Sequence, residues 1–169
     1  MALKIKKKDN TFDCDHVYSA KPEDFNLPRD YTFAKNSWGN SFYKIYNTKL
    51  NYADAKARCE SDGTFLVIPR SEAENIFIAG LIKDDNFWIG INDIEQEGNF
   101  IAVDGGDLPY TNWHNHETFN EKKDGVEIRW WDYGHWNNVA VIEQRKFICS
   151  IYIKGKFISS EVNSVNHAG

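Results

Sequence analysis

No glycine-rich phosphate loop, no Gly-x-Ser-x-Gly turn and no His-Glu-x-x-His pair occurs in this chain of 169 residues. The commonest nucleotide-binding, serine-hydrolase and metalloprotease signatures are therefore absent. The scattered Asp and Glu pairs do not make a glycosidase either. No stretch is apolar for long enough to span a bilayer, and the N-terminus lacks the apolar segment of a signal peptide. A secreted form would then be the mature chain behind a start Met. There is no Asn-x-Ser/Thr sequon, so N-glycosylation says nothing about compartment. The net charge of −5 supplies no global basic field, which argues against nucleic acid as a partner. No internal repeat or low-complexity tract is visible. Cysteine is scarce, at three residues. Cys59 and Cys149 read equally as a disulfide or as two buried thiols when taken alone.

Aromatic residues, by contrast, make up 15% of the chain, six of them Trp. The length suits one sizeable core and is short for two domains. Big rings suit a loop-rich fold with a core to fill. Three parts are expected. Residues 1–40 form an extended leader with Lys4, Lys6, Lys7 and Lys8 near its start, residues 41–153 form the domain, and residues 154–169 form a polar tail. Phe42 to Tyr46 alternates like a strand. Asn51 is placed to cap a helix from Tyr52 to about Ser61, with Gly63 ending it. Tyr52, Ala55 and Cys59 share one face of that helix. Thr64 to Ile68 reads as a short strand. Ser71-Glu72-Ala73-Glu74 is a capping box whose Ser and Glu satisfy each other's amides, and it opens a second helix through Leu81. From Asp85 onward short strands alternate with Gly-, Asn- and Asp-rich loops.

Within that second half, Phe87-Trp88-Ile89-Gly90-Ile91-Asn92-Asp93 is followed by Trp136-Asn137-Asn138 and by Phe147-Ile148-Cys149, with Cys59 upstream. Each piece is common, but their order and spacing are not. Together they resemble the C-type lectin-like domain over about Phe42 to Ile153. The resemblance implies an α+β fold, with two helices flanking small antiparallel sheets and a long loop region. It also implies a Cys59–Cys149 disulfide and an oxidising, extracellular setting. Closing so long a loop stabilises by roughly 4–5 kcal/mol in the chain-entropy model. Cys14 is left over, either free or linking two chains into a dimer. The second disulfide of the family would fall at Gly125 and Val141, where cysteine is missing. Packing by Trp130, Trp131 and Trp136 is expected to compensate.

Members of this family are recognition modules rather than enzymes, and many bind sugars through calcium. Ca²⁺ takes six to eight oxygens, several of them carboxylate. The resemblance places Glu117, Asn137 and Asn138 at the sugar-linked ion site. There Phe119 replaces an Asn ligand, Asn138 an Asp and Lys123 a Glu, leaving too little charge for ordinary calcium affinity. An auxiliary calcium site is carried over on Asp93 and Glu97, with Asn120 and Asp124 as further ligands. Ordinary surface acids are the plainer reading of the same residues. His114, His116 and His135 are compatible with zinc, or are solvated loop histidines. The expected function is a secreted lectin for cell-surface or microbial glycans, of the kind used in innate immunity. The alternative is a calcium-independent domain that grips a cell-surface protein through Phe119 and Trp131.

Overall fold

The structure, a computed structural model, describes residues 7–8, 11–13, 21–36, 39–115 and 122–154. Cys14, His116, Glu117, Phe119, Asn120 and the tail after residue 154 lie outside that set. The expected dimer through Cys14 therefore falls outside it too.

Strands β1 (Lys7–Lys8) and β2 (Thr11–Asp13) come first, then a 3-10 turn at Pro22–Phe25, β3 (Thr32–Asn36) and the long β4 (Gly39–Leu50). Helix α1 (Tyr52–Ser61) follows as the capping residues imply: Asn51 Oδ1 accepts from Asp54 N at 2.9 Å, and Gly63 beyond the end is left-handed at φ +75°. Tyr52, Ala55 and Cys59 are its buried residues. Strand β5 (Phe65–Leu66) is shorter than the Thr64–Ile68 expectation. Helix α2 (Glu72–Leu81) begins at Ser71, whose hydroxyl accepts from Glu74 N at 3.2 Å. The reciprocal half of the capping box differs from expectation. Glu74 Oε2 reaches past the Ser71 amide and accepts from Arg70 N at 3.0 Å.

The remaining strands are β6 (Phe87–Asn92), β7 (Ile101–Ala102), β8 (Gly125–Ile128), β9 (Trp136–Val139) and β10 (Arg145–Lys154). The α+β class holds, but the expected small antiparallel sheets are one mixed network. β10 is its hub because it is long enough to pair different segments along its two edges. β4 runs antiparallel along one edge, while β6, β5 and β2 divide the other edge, and the β6 and β2 pairings are parallel. β8 lies antiparallel to β6, and β9 antiparallel to β8.

All of β6 is buried, and its alternating side chains feed two cores. Trp88 joins Tyr52, Phe42, Phe147 and the Cys59–Cys149 disulfide, whose Cα atoms are 5.3 Å apart. Phe87, Ile89 and Ile91 point the other way, toward Ile78, Val126, Ile128 and Trp136. Phe25, Leu27 and Tyr31 are also buried in the first core. The expected division at residue 41 thus separates side chains that pack together.

The packing expected to replace the missing second disulfide comes from elsewhere. Trp136 is fully buried, but Trp130 and Trp131 are 48% and 56% exposed. The space beside Gly125 is instead filled by Trp88, Tyr52 and Val141, each within 3.3 Å of where a Cβ would stand. The reason is register: β8 lays Gly125 against β6 and α1, whereas the two exposed Trp fall in the turn beyond Ile128.

Candidate functional site

Strand β9 organises the face where the long loop begins. Its first residue, Trp136, donates its amide to Asn112 O at 2.8 Å and accepts from His114 N at 3.0 Å. The loop is thereby pinned at its start, and Trp113 stacks edge-on to Trp136 at 5.7 Å. Trp136 Nε1 donates to Asn75 Oδ1 at 2.8 Å, and Asn75 Nδ2 donates to Gly134 O at 3.1 Å. One buried amide therefore ties α2 to the end of the turn that leads into β9.

Alternation along β9 sends Asn137 and Asn138 to opposite faces. Asn137 lies opposite Glu127 in the ladder and donates to Glu127 Oε1 at 3.1 Å. Glu127, 2% exposed, also accepts from Asn86 Nδ2 at 2.9 Å and pairs with Arg145 Nε at 2.5 Å. Arg145 is held above its ordinary range: burial opposes the charge, but hydrogen bonding and attraction from Glu127 outweigh it. Asn138 is wholly buried, and its Nδ2 donates to Lys123 O at 3.3 Å. The two asparagines thus do not aim at one point. Sequence reasoning passed over Glu127, and the signal that could have found it was its place in the Gly-Val-Glu-Ile strand opposite Trp-Asn-Asn.

Asp93 closes β6 at the base of the same loop and is 2% exposed. Its amide donates to Asp124 O at 3.1 Å, and its Oδ2 accepts from Gly98 N at 2.8 Å. Its Oδ1 is buried with no hydrogen-bond partner among the described residues. Burial pushes the Asp93 carboxyl above its usual range, the Gly98 bond opposes this, and the nearby Asp124 charge adds to it. Glu97 is exposed on the turn that follows, and Asp124 is half-buried. Among the described residues no three His, Cys, Asp or Glu side chains gather closely enough to hold a metal. Even so, an orphaned carboxylate oxygen beside a second carboxylate suits a hard cation, with Asn120 outside the described set.

His114 and His135 do come together, with ring centroids 6.1 Å apart. What they share is Asp132. His114 Nε2 lies 3.5 Å from Oδ2, and His135 Nδ1 lies 3.4 Å from Oδ1 while donating to the Asp132 carbonyl at 2.7 Å. Arg129 Nη1 is 3.8 Å from the same carboxylate. Asp132 Oδ2 itself is buried and has no hydrogen-bond partner among the described residues. Trp131 is exposed, with the Arg129 guanidinium 5.2 Å over one face of its ring.

This geometry can be set beside known proteins. Collectin-43 of Bos taurus is 34% identical over 116 residues, which cover 66% of this chain and 36% of that protein. The chain thus spans little more than a third of that relative's length. The C-type lectin CEL-I from Cucumaria echinata superposes with a TM-score of 0.67 at 26% identity, over 74% of this chain and 96% of that one. A calcium-independent type II antifreeze protein superposes with a TM-score of 0.68 at 18% identity, over 75% of this chain and 94% of that one. At that identity the likeness is one of fold alone. A family model described as the lectin C-type domain matches residues 48–151, from the end of β4 into β10, and the chain belongs to that family.

Proposed function

We propose that this protein is an extracellular recognition domain that binds glycans on its long-loop face, with one calcium ion supporting the loop. The observation that carries this reading is the buried Oδ1 of Asp93, beside Asp124 and without a hydrogen-bond partner among the described residues. A bound calcium would supply the positive charge that this pair of carboxylates lacks. Asp93 and Asp124 would hold it, with Glu97 and Asn120 as further oxygen donors. Glu117 and Asn137 are the sugar-linked candidates. Support for the ligand class comes from relatives such as the mouse scavenger receptor domain, described as a carbohydrate-recognition domain and 25% identical at a TM-score of 0.64. The buried disulfide supports an oxidising compartment. No helix among the described residues is long and apolar enough to cross a membrane.

A second reading, a calcium-independent protein receptor, draws on the engagement of Asn137 by Glu127 and of Asn138 by the Lys123 carbonyl. Calcium titration followed by thermal unfolding, with a glycan array run in parallel, separates the two. We expect saturating calcium to raise the melting temperature, by about 2.7 kcal/mol of stability at a hundredfold excess over Kd. Asp93→Ala should abolish the gain, Asn137→Ala should keep it, and Glu117→Gln should weaken array binding. A calcium-insensitive protein with a blank array would sink the glycan reading in favour of the second.

A further inference from the structure

The turn between β8 and β9, residues 129–135, presents Trp130, Trp131 and Tyr133 at 48%, 56% and 89% exposure. Trp88 and Trp136, by contrast, are fully buried. Exposing three large rings within four residues costs apolar hydration that folding normally removes. The backbone that carries these rings is held in place. Arg129 N donates to His135 O at 3.0 Å, Gly134 N to Arg129 O at 3.1 Å and His135 N to Asp132 O at 2.9 Å. Gly134 O takes two side-chain amides, from Asn75 and Asn112. Tyr133 adopts φ +51°, uncommon for a residue with a bulky side chain. Within the same turn, the Asp132 carboxylate sits among His114, His135 and Arg129, and Arg129 covers one face of Trp131.

We propose that this turn is a metal-independent sugar-stacking subsite for a β-linked hexopyranoside. The choice of a glycan rests on the function proposed above; the independence from metal rests on the turn itself. Equatorial substitution leaves such a sugar with axial C–H groups on its ring faces, and these pack on aromatic rings. Its hydroxyls find donors and acceptors in the indole N–H groups, the Tyr133 hydroxyl and the imidazoles at the rim. Size favours a sugar. The three side chains together expose about 400 Å², the scale of one or two sugar rings, whereas a stable protein interface covers about 800 Å² on each side and would need the surrounding surface as well. Charge favours it over a lipid surface. Asp132 lies 3.8 Å from Arg129, so the pair offers no net positive charge to anionic headgroups.

Saturation-transfer NMR on the full chain tests this, with cellotetraose and lactose as probes in excess EDTA. Transfer to the axial sugar protons is expected without any calcium. Trp130→Ala and Tyr133→Ala should each weaken binding about three- to tenfold. Tyr133→Asn tolerates the left-handed backbone and should behave like Tyr133→Ala, which assigns the loss to the ring. Ile142→Ser, a change at an exposed position beyond the opposite end of β9, should leave transfer intact. No transfer from either probe in EDTA would overturn the proposal, as would transfer that survives Trp130→Ala and Tyr133→Asn combined. Sugar binding that requires calcium and falls with Glu117→Gln would overturn it while sustaining the ion-linked reading. Transfer in EDTA from a protein that calcium does not stabilise would do the reverse.

Discussion

Gly90 lies where β6 passes beneath the Leu66–Ile68 segment. Its amide donates to Val67 O at 2.7 Å, and its carbonyl accepts from Val103 N at 2.9 Å. A Cβ there would stand 2.4 Å from Leu66 O, a backbone atom that cannot swing aside, and 2.8 Å from both Ile68 and Val103. The glycine of the Trp-Ile-Gly triplet is thus required by close approach of two main chains. Gly90→Ala should cost about 3 kcal/mol in urea unfolding. Glu74 gives a different kind of prediction. Burial raises its carboxyl above the ordinary 4.5, partly opposed by the Arg70 amide. The native state therefore keeps this proton to higher pH than the unfolded chain does. Stability from this group falls as pH rises from the ordinary glutamate value through the raised one. Glu74→Gln keeps an acceptor for Arg70 N but cannot titrate. Its stability relative to the parent should rise with pH across that window, as read from urea midpoints at stepped pH.

At the scale of elements, β8 shows how the domain manages without a second bridge. The Gly125 site is 3.3 Å from Val141 Cγ1, close to where a paired sulfur would sit. Trp88 and Tyr52, edge-on at 5.2 Å, occupy the rest of the space. The Gly125→Cys, Val141→Cys double variant should therefore oxidise in air and gain about 1–3 kcal/mol. That is less than full loop-closure entropy, because Trp88 must yield a few tenths of an ångström. Mass spectrometry after alkylation reads the bond, and thiols that stay alkylatable would show that the rings hold the strands too firmly. Much at this scale was legible in the sequence. Both helices and their caps follow from local rules, since an N-cap bonds its own chain three residues on. The Glu74 contact was not legible, because Arg70 N and Ser71 N are adjacent and only the bend of the chain before α2 selects between them.

For the whole molecule, the leader matters more than its polar composition suggests. Phe25, Leu27 and Tyr31 are buried in the core that holds the disulfide, and Phe25 packs on Phe42 with ring centroids 5.3 Å apart. The Tyr31 hydroxyl lies 2.9 Å from Thr64 Oγ1 and donates to Asp62 Oδ2 at 3.1 Å, which locks this segment to the end of α1. Phe25→Ala should cost about 3–4 kcal/mol, measured by thermal and urea unfolding. A change within about 0.5 kcal/mol would mean that this segment does not hold the core in solution.

What the sequence alone determined is what short-range chemistry determines: two capped helices, an apolar strand at Phe87–Asn92, and an ordered set of motifs with Cys59 and Cys149 at its ends. Those motifs were enough to indicate the family and the bridge. Tertiary structure decided which polar and aromatic side chains are available. Asn137 faces Glu127, which also pairs with Arg145, Asn138 turns inward, Trp136 is core, and Trp130 and Trp131 face solvent. The side-chain period of a strand is two, so which of two neighbours faces water depends on strand pairing. Here β8 and β9 take their positions from β6, some forty residues earlier in the chain, and no local pattern in Trp-Trp-Asp-Tyr or Trp-Asn-Asn records that pairing.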